Sequence, residues 1–266
     1  MTKKLPELLA PAGTLDAFRT AILYGADAIY AGLPGFSMRA RAKIDVEGVK
    51  QGIELAHKAG KKVYLAFNLF AHDFEYQNMP RVADVIRYLQ LDALIVSDPG
   101  IVMWVRENLT DMPIHISTQA NICSAKTVKF WQNAGAKLCV LAREVSHKEF
   151  KSIRAACPDV GLEIFVHGAM CMSYSGRCLL SNFVTGRPAN RGACAQLCRW
   201  NYDVILRERE SGLEMPICED ERGAYIMNSK DLCLMPRLAE VIQAQPDSLK
   251  IEGRNRSEYY VGSVVH

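Results

Sequence analysis

Eight short apolar runs, each followed by a segment of helical period, constrain the fold of this chain more than any other feature. They are ELLA (7–10), ADAIYA (26–31), KVYLAF (62–67), DALIVS (92–97), IHIST (114–118), KLCVLA (137–142), LEIFVH (162–167) and SLKIEG (248–253). Short β-branched runs alternating with amphipathic segments are the pattern of repeated strand–helix units and a parallel sheet. Helices are expected at 14–24, 46–60, 79–90, 99–109, 124–134, 146–155 and 232–244. Gly25, Gly60 and Gly135 stand where a helix gives way to the next strand, the place of a C-cap glycine. Eight such units close most naturally into a parallel (β/α)8 TIM-like barrel, with an open doubly wound sheet as the alternative. Residues 1–266 are expected to form one barrel domain. The final RSEYYVGSVVH reads as the start of an eighth helix cut short, so that a C-terminal continuation is expected.

One connection breaks the rhythm. Residues 168–231, between the seventh strand and the helix near 232, far exceed the usual βα loop of about 2–6 residues. In a barrel such an insertion lies on the carboxyl face, where active sites are found. The ends of the strands bring polar residues to that same face: Arg39, Arg41, Asn68, His72, Ser97, Asp98, Gln119, Asn121, Arg143, Glu144, His167, Glu252 and Arg254. Asp98 before Pro99 is better explained as a helix cap. Arg39, Arg41 and Arg254 point instead to an anionic ligand, because guanidinium forks bind carboxylates and phosphates bidentately.

Nine cysteines, an odd number with no secretory signal behind the opening MTKKLPELLAPAG, argue against a disulfide framework. No run approaches the ~18 apolar residues that span a bilayer, and a cytoplasmic protein without membrane contact is expected. Cys139, inside an apolar strand, and Cys157, at a helix end, read as inert thiols, while Cys123 and Cys218 lack close partners in sequence. Cys171, Cys178, Cys194 and Cys198 all fall in the insertion, and Cys233 stands at its far end. Four of these five can form one metal site. Only Cys194 and Cys198 have the spacing of a zinc knuckle, so an iron–sulfur cluster is preferred to zinc. A net charge of +3 from 32 basic and 29 acidic residues says little about nucleic acid. The insertion is locally basic, however, with Arg177, Arg187, Arg191, Arg199, Arg207 and Arg209 against Asp203 and Glu208 over 171–209.

The segment EIFVHGAMCMSYSGRCLLSNF (163–183) resembles the signature of the collagenase-like peptidase family, number 32 of the unclassified U peptidases. The match rests on Glu163, Phe165, Gly168, Ala169, Cys171, Gly176, Cys178 and Ser181, and it extends through ELLAPAG, GADAIYAG, LIVSDPG, ISTQANI, RGACAQLCRW, YIMNSKDLC and LKIEGR to nearly the whole chain. Despite the name, the resemblance implies proteins that install hydroxyl groups on tRNA wobble uridine, a ribosomal-RNA cytidine or a ubiquinone precursor. It implies a 4Fe-4S cluster on Cys171, Cys178, Cys194 and Cys233, with Cys198 as a substitute ligand. The GACAQLCRW and MNSKDL blocks are most similar to the tRNA 5-hydroxyuridine branch, for which the resemblance implies prephenate as hydroxyl donor.

The leading expectation is therefore a tRNA uridine hydroxylase. Arg39, Arg41, Asn68, Gln119, Arg143, His167, Glu252 and Arg254 would bind the dicarboxylate donor, and Arg177, Arg187, Arg191 and Arg199 would meet RNA phosphates. Tyr174, Phe183 and Trp200 would either stack a splayed base or pack the insertion's own core. A protein partner for electron delivery is a further expectation. A hydrolase is the second reading, although HExxH and GxSxG are absent and only His167 with Cys171 suggests a thiol pair. A cluster-bearing subunit without catalysis is the third. No catalytic base is assigned.

Overall fold

The computed structural model describes residues 5–34, 36, 44–171, 173–174, 177–187, 189, 194–200, 204–207, 209–217 and 231–266. Eight parallel strands close a barrel: β1 (Glu7–Pro11), β2 (Ala28–Gly32), β3 (Lys62–Phe67), β4 (Ala93–Val96), β5 (Ile114–Ile116), β6 (Leu138–Val140), β7 (Gly161–Gly168) and, late in the chain, β11 (Ser248–Ile251). Closure is set by β11, which pairs with β1 on one side (Leu8 opposite Leu249) and with β7 on the other (Leu249 opposite Ile164). The open doubly wound sheet is thereby excluded.

The helices follow from caps and apolar stripes. They are α1 (Leu15–Leu23), α2 (Val46–Lys58), α3 (Asp73–Tyr76), α4 (Met79–Leu89), α5 (Pro99–Asn108), α6 (Ala125–Asn133) and α7 (His147–Ala156). Thr14, Asp45, Ser124 and Ser146 each accept a backbone N–H from their own helix, as N-caps do. Asp98 accepts from Gly100 and Ile101 at the start of α5, so it is the cap its sequence suggested. The glycines at 25, 60 and 135 have φ of +101°, +70° and +91°, the left-handed turn expected at each helix end. Between helices and barrel wall lie fully buried side chains such as Phe18, Ile53, Phe67, Ile86 and Leu94. Each contributes about 1.5–3 kcal/mol by leaving water.

The insertion after β7 contains α8 (Leu180–Thr185) and an antiparallel hairpin of β8 (Val204–Arg207) and β9 (Glu214–Ile217), none of which the apolar pattern announced. The helix expected at 232–244 is a correction. Its first residues form β10 (Leu232–Cys233), antiparallel to β7, then a 3-10 turn at Met235–Arg237, and only then α9 (Leu238–Gln243). Pro236 cannot donate within a helix and disfavours helical geometry before it, which releases 232–234 to pair with β7. The last helix, α10 (Glu258–Val265), docks on α1. Thr14 donates to Glu258 at 2.7 Å, and the His266 ring meets Tyr24 edge-on at 6.0 Å.

Candidate functional site

At the carboxyl end of the barrel, strand ends and insertion enclose a cavity of about 120 Å³. The barrel contributes Tyr30, Ala66, Asn68, Ile95, Ser117, Gln119, Arg143, Phe165, Lys250, Glu252 and Arg254, and the insertion contributes Cys171, Tyr174, Cys178, Ala189 and Cys194. Strand alternation explains the barrel set. On β11 every second residue points inward, so Ser248 and Lys250 are buried among polar partners, while Leu249 and Ile251 pack outward.

Arg143 occupies the centre of this wall. Its side chain is only 5% exposed and lies over the Phe165 ring at 4.1 Å. One guanidinium nitrogen stands 3.5 Å from Glu252 Oε2 and another 3.7 Å from Cys171 Sγ. A buried guanidinium held on an aromatic face and beside a carboxylate keeps its charge and its direction. Asn68 and Gln119 are joined through Ser97, whose hydroxyl donates to the Asn68 carbonyl at 2.9 Å and lies 3.4 Å from Gln119 Oε1.

Beneath the cavity runs a polar layer that sequence reasoning missed. Lys250 Nζ donates to Glu163 Oε1 at 2.7 Å, Ser248 donates to the other carboxylate oxygen at 2.9 Å, and the ammonium lies 4.5 Å from the Tyr30 ring centre. Further round, His115 stacks edge-on against Tyr64 at 4.6 Å. Burial, with Lys250 and Lys62 adding to it, lowers the His115 imidazole to about 3. Tyr64 donates to Glu7 at 2.8 Å, and burial together with that carboxylate raises its phenol well above its usual value. One signal was available in sequence: a charged residue at an inward position of an apolar run, as Glu163 and Lys250 are. Barrel closure is what turns both inward.

Of the expected donor contacts, the structure brings Asn68, Gln119, Arg143, Glu252 and Arg254 to the cavity; Arg39 and Arg41 lie outside the described residues. His167 is not brought there. Its Nδ1 lies 3.0 Å from the Tyr260 hydroxyl of α10, and that hydroxyl donates to the Glu252 carbonyl at 2.8 Å. His72 instead caps α3 through Glu75, and Asn121 closes a turn in the left-handed region. Among the expected RNA contacts, Arg177 is exposed and lies over the Phe70 ring at 4.9 Å, and Arg187 reaches the Cys194 carbonyl at 3.5 Å. Arg191 lies outside the described residues, as does the Arg199 side chain. Tyr174, Phe183 and Trp200 are 51%, 88% and 48% exposed, which is a surface arrangement and not the packing of an insertion core.

The cysteines fall into different surroundings. All eight described cysteines are free of disulfides. Cys139 and Cys157 are buried, and burial pushes the Cys139 thiol up to about 12, as befits an inert core thiol. Cys218 lies outside the described residues. Cys171, Cys178 and Cys194 share the cavity, whereas Cys198 sits in the 3-10 turn Leu197–Arg199 and Cys233 opposite His167 in the β10–β7 pair. Among the described residues no three His, Cys, Asp or Glu side chains stand close enough to hold a metal ion. The donor chemistry nevertheless fits an iron–sulfur group: three cysteines outside any disulfide line one cavity, with a buried guanidinium beside one of them.

An α/β barrel with a cysteine-bearing insertion folded over its carboxyl mouth is the class that fold and site define. Peptidase family U32 matches residues 13–266, and the chain belongs to that family. It is 42% identical to tRNA hydroxylation protein P of Escherichia coli (strain K12), over 96% of this chain and 65% of that protein. It is 36% identical to a collagenase of Porphyromonas gingivalis (strain ATCC BAA-308 / W83), over 97% of this chain and 63% of that protein. The chain thus spans somewhat under two thirds of the length of these relatives. The solved structure of the U32 peptidase Mk0906 shares the fold, with a TM-score of 0.60 at 15% identity over 95% of both chains. No described helix is long and apolar enough to cross a membrane.

Proposed function

We propose that this chain is the barrel portion of a cytoplasmic tRNA-modifying protein that hydroxylates the wobble uridine at its 5-position, with prephenate as hydroxyl donor and a 4Fe-4S cluster at the barrel mouth. The observation that carries the reading is the single cavity shared by three insertion thiols and the cationic strand ends. Cys171, Cys178 and Cys194 would hold the cluster, with Cys233 or Cys198 as fourth ligand. When bound, the cluster supplies one-electron transfer or activation of a bound oxygen ligand. The whole chain acts as one domain in this reading, its insertion forming the roof of the site.

The chain's own residues bind and orient. Arg143 and Arg254 offer guanidinium donors to carboxylates, Asn68 and Gln119 offer amide groups to the same cavity, and Glu252 fixes Arg143 in place. Phe165 holds the Arg143 fork flat and shields it from water, which strengthens its attraction for an anion. Arg177 and Arg187 meet RNA phosphates on the insertion, and Tyr174, at the cavity rim, stacks a base turned out of its strand. Uridine loses two electrons and the donor, giving up its hydroxyl, gains them; a protein partner for electron delivery would serve only to set the oxidation level of the cluster.

The name and identity of the collagenase relative favour a second reading, a peptidase. It requires a thiol and a base in contact, and His167 is directed to Tyr260 and α10 while Cys171 lines the cavity. Hydroxylation of a ribosomal-RNA cytidine or a ubiquinone precursor, or a non-catalytic cluster-bearing subunit, remain outcomes of the same test. The full-length protein is expressed in a bacterium deleted for its own tRNA hydroxylation proteins, and tRNA nucleosides are analysed by mass spectrometry. Appearance of 5-hydroxyuridine is expected. Unmodified tRNA together with gelatin cleavage that depends on Cys171 would establish the peptidase instead.

A further inference from the structure

The barrel floor holds a group to which the reading above gives no role. Lys250 lines the cavity, yet its ammonium is almost fully enclosed. The register explains its height: Ser248 lies opposite Glu163 on β7, and Lys250 lies opposite Phe165, one inward layer nearer the carboxyl end. Glu163 therefore approaches the ammonium from below, at 2.7 Å, while the cavity opens above it. Two aromatic faces flank the same nitrogen, Tyr30 at 4.5 Å and Phe165 at 5.7 Å. The Phe165 ring also carries Arg143, at 4.1 Å, and the Tyr30 ring carries Arg254, at 5.6 Å. Three cations thus stand on two rings around one small cavity, with Glu163 and Glu252 as the carboxylates among them.

A buried ammonium–carboxylate pair contributes little net stability, because desolvation offsets most of its attraction. An ammonium has three donors, and Glu163 takes one of them. We propose that Lys250 is the deepest anchor of the small-molecule site: it receives one carboxylate of the dicarboxylate donor at the barrel floor. The second carboxylate meets Arg143 or Arg254 higher up, and the Tyr30 and Phe165 faces pack the ligand's hydrocarbon part. Glu163 holds Lys250 in place and competes with the ligand for its charge. This assignment rests on the dicarboxylate reading of the site.

Competition gives the two partners opposite signs. Lys250→Met removes the anchor and weakens binding, whereas Glu163→Gln frees the ammonium from its rival, keeps an acceptor for Ser248 and strengthens binding. A purely structural pair would weaken binding whichever partner is lost. Calorimetric titration of the whole chain with prephenate, with phenylpyruvate as the single-carboxylate control, distinguishes these cases.

Wild type is expected to prefer prephenate. Lys250→Met is expected to weaken prephenate binding about tenfold or more, the worth of one charged hydrogen bond, and Glu163→Gln to tighten it severalfold. The double variant K250M/E163Q removes both charges, and its circular dichroism and thermal midpoint show whether the barrel is intact. If it is folded yet binds prephenate as wild type does, or if Glu163→Gln weakens binding as Lys250→Met does, the anchor is refuted and the dicarboxylate reading stands. If wild type binds no prephenate, the dicarboxylate reading falls and the anchor with it.

Discussion

His115 makes the barrel interior testable through pH. Its ring is 8% exposed, its Nδ1 has no hydrogen-bond partner among the described residues, and its neighbours include the cations Lys250 and Lys62. These surroundings oppose protonation, lowering the group from 6.5 to about 3. The unfolded chain therefore takes up a proton near pH 6.5 that the folded chain refuses until about pH 3. Stability due to the neutral ring is complete above pH 6.5 and is lost as pH falls through the interval between the two values. With one pH unit worth about 1.4 kcal/mol once the unfolded histidine is protonated, the loss between pH 7 and pH 5 is about 2 kcal/mol. The assay is urea unfolding of wild type and His115→Asn at both pH values. Wild type should lose about 2 kcal/mol more than the variant over that range, since the variant has nothing to titrate there. Equal pH dependence of the two proteins would refute the placement of a neutral imidazole in the barrel.

Gly168, at the junction of β7 and the insertion, has φ +110°, and a Cβ there would press on the Glu252 carbonyl oxygen. Gly168→Ala should cost at least about 2 kcal/mol by chemical denaturation; a neutral substitution would show that this junction is not fixed as described. Arg177→Ala, at an exposed position of the insertion, and Arg187→Ala, at a half-buried one, should weaken tRNA binding and lower its salt dependence by about one counterion each, measured by filter binding over a salt series. Unchanged slopes would remove RNA from these positions. Arg143→Met strips Glu252 of its guanidinium partner inside the barrel wall and should cost about 3 kcal/mol, again by urea unfolding. Retained stability would mean that Glu252 is satisfied without Arg143.

The barrel was legible because its strands are short apolar runs with polar ends, and because left-handed glycines and oxygen-bearing caps mark the helices between them. Legibility failed where pairing partners are distant in sequence. Residues 232–233 become a strand only because β7 offers them an edge, and no local pattern states this. Lys250 and Glu163 meet across 87 residues, brought together by the pairing of β11 with β7 that closes the ring. Position at a strand end alone puts His167 at the mouth. The antiparallel addition of β10 and the docking of α10 turn it to Tyr260 instead. The insertion's thiols were recognisable as a group, and which of them face one cavity became visible only in three dimensions.

The central claim is that the insertion cysteines hold a 4Fe-4S cluster over the barrel mouth. The most direct measurement is the iron and sulfide content and Mössbauer spectrum of anaerobically purified protein, repeated for alanine variants of Cys171, Cys178, Cys194, Cys198 and Cys233, with Cys139→Ala as control. Four irons in wild type and in Cys139→Ala, lost on replacing Cys171, Cys178, Cys194 and one of the remaining two, is the predicted result. Protein without iron, or with zinc alone, would contradict the account.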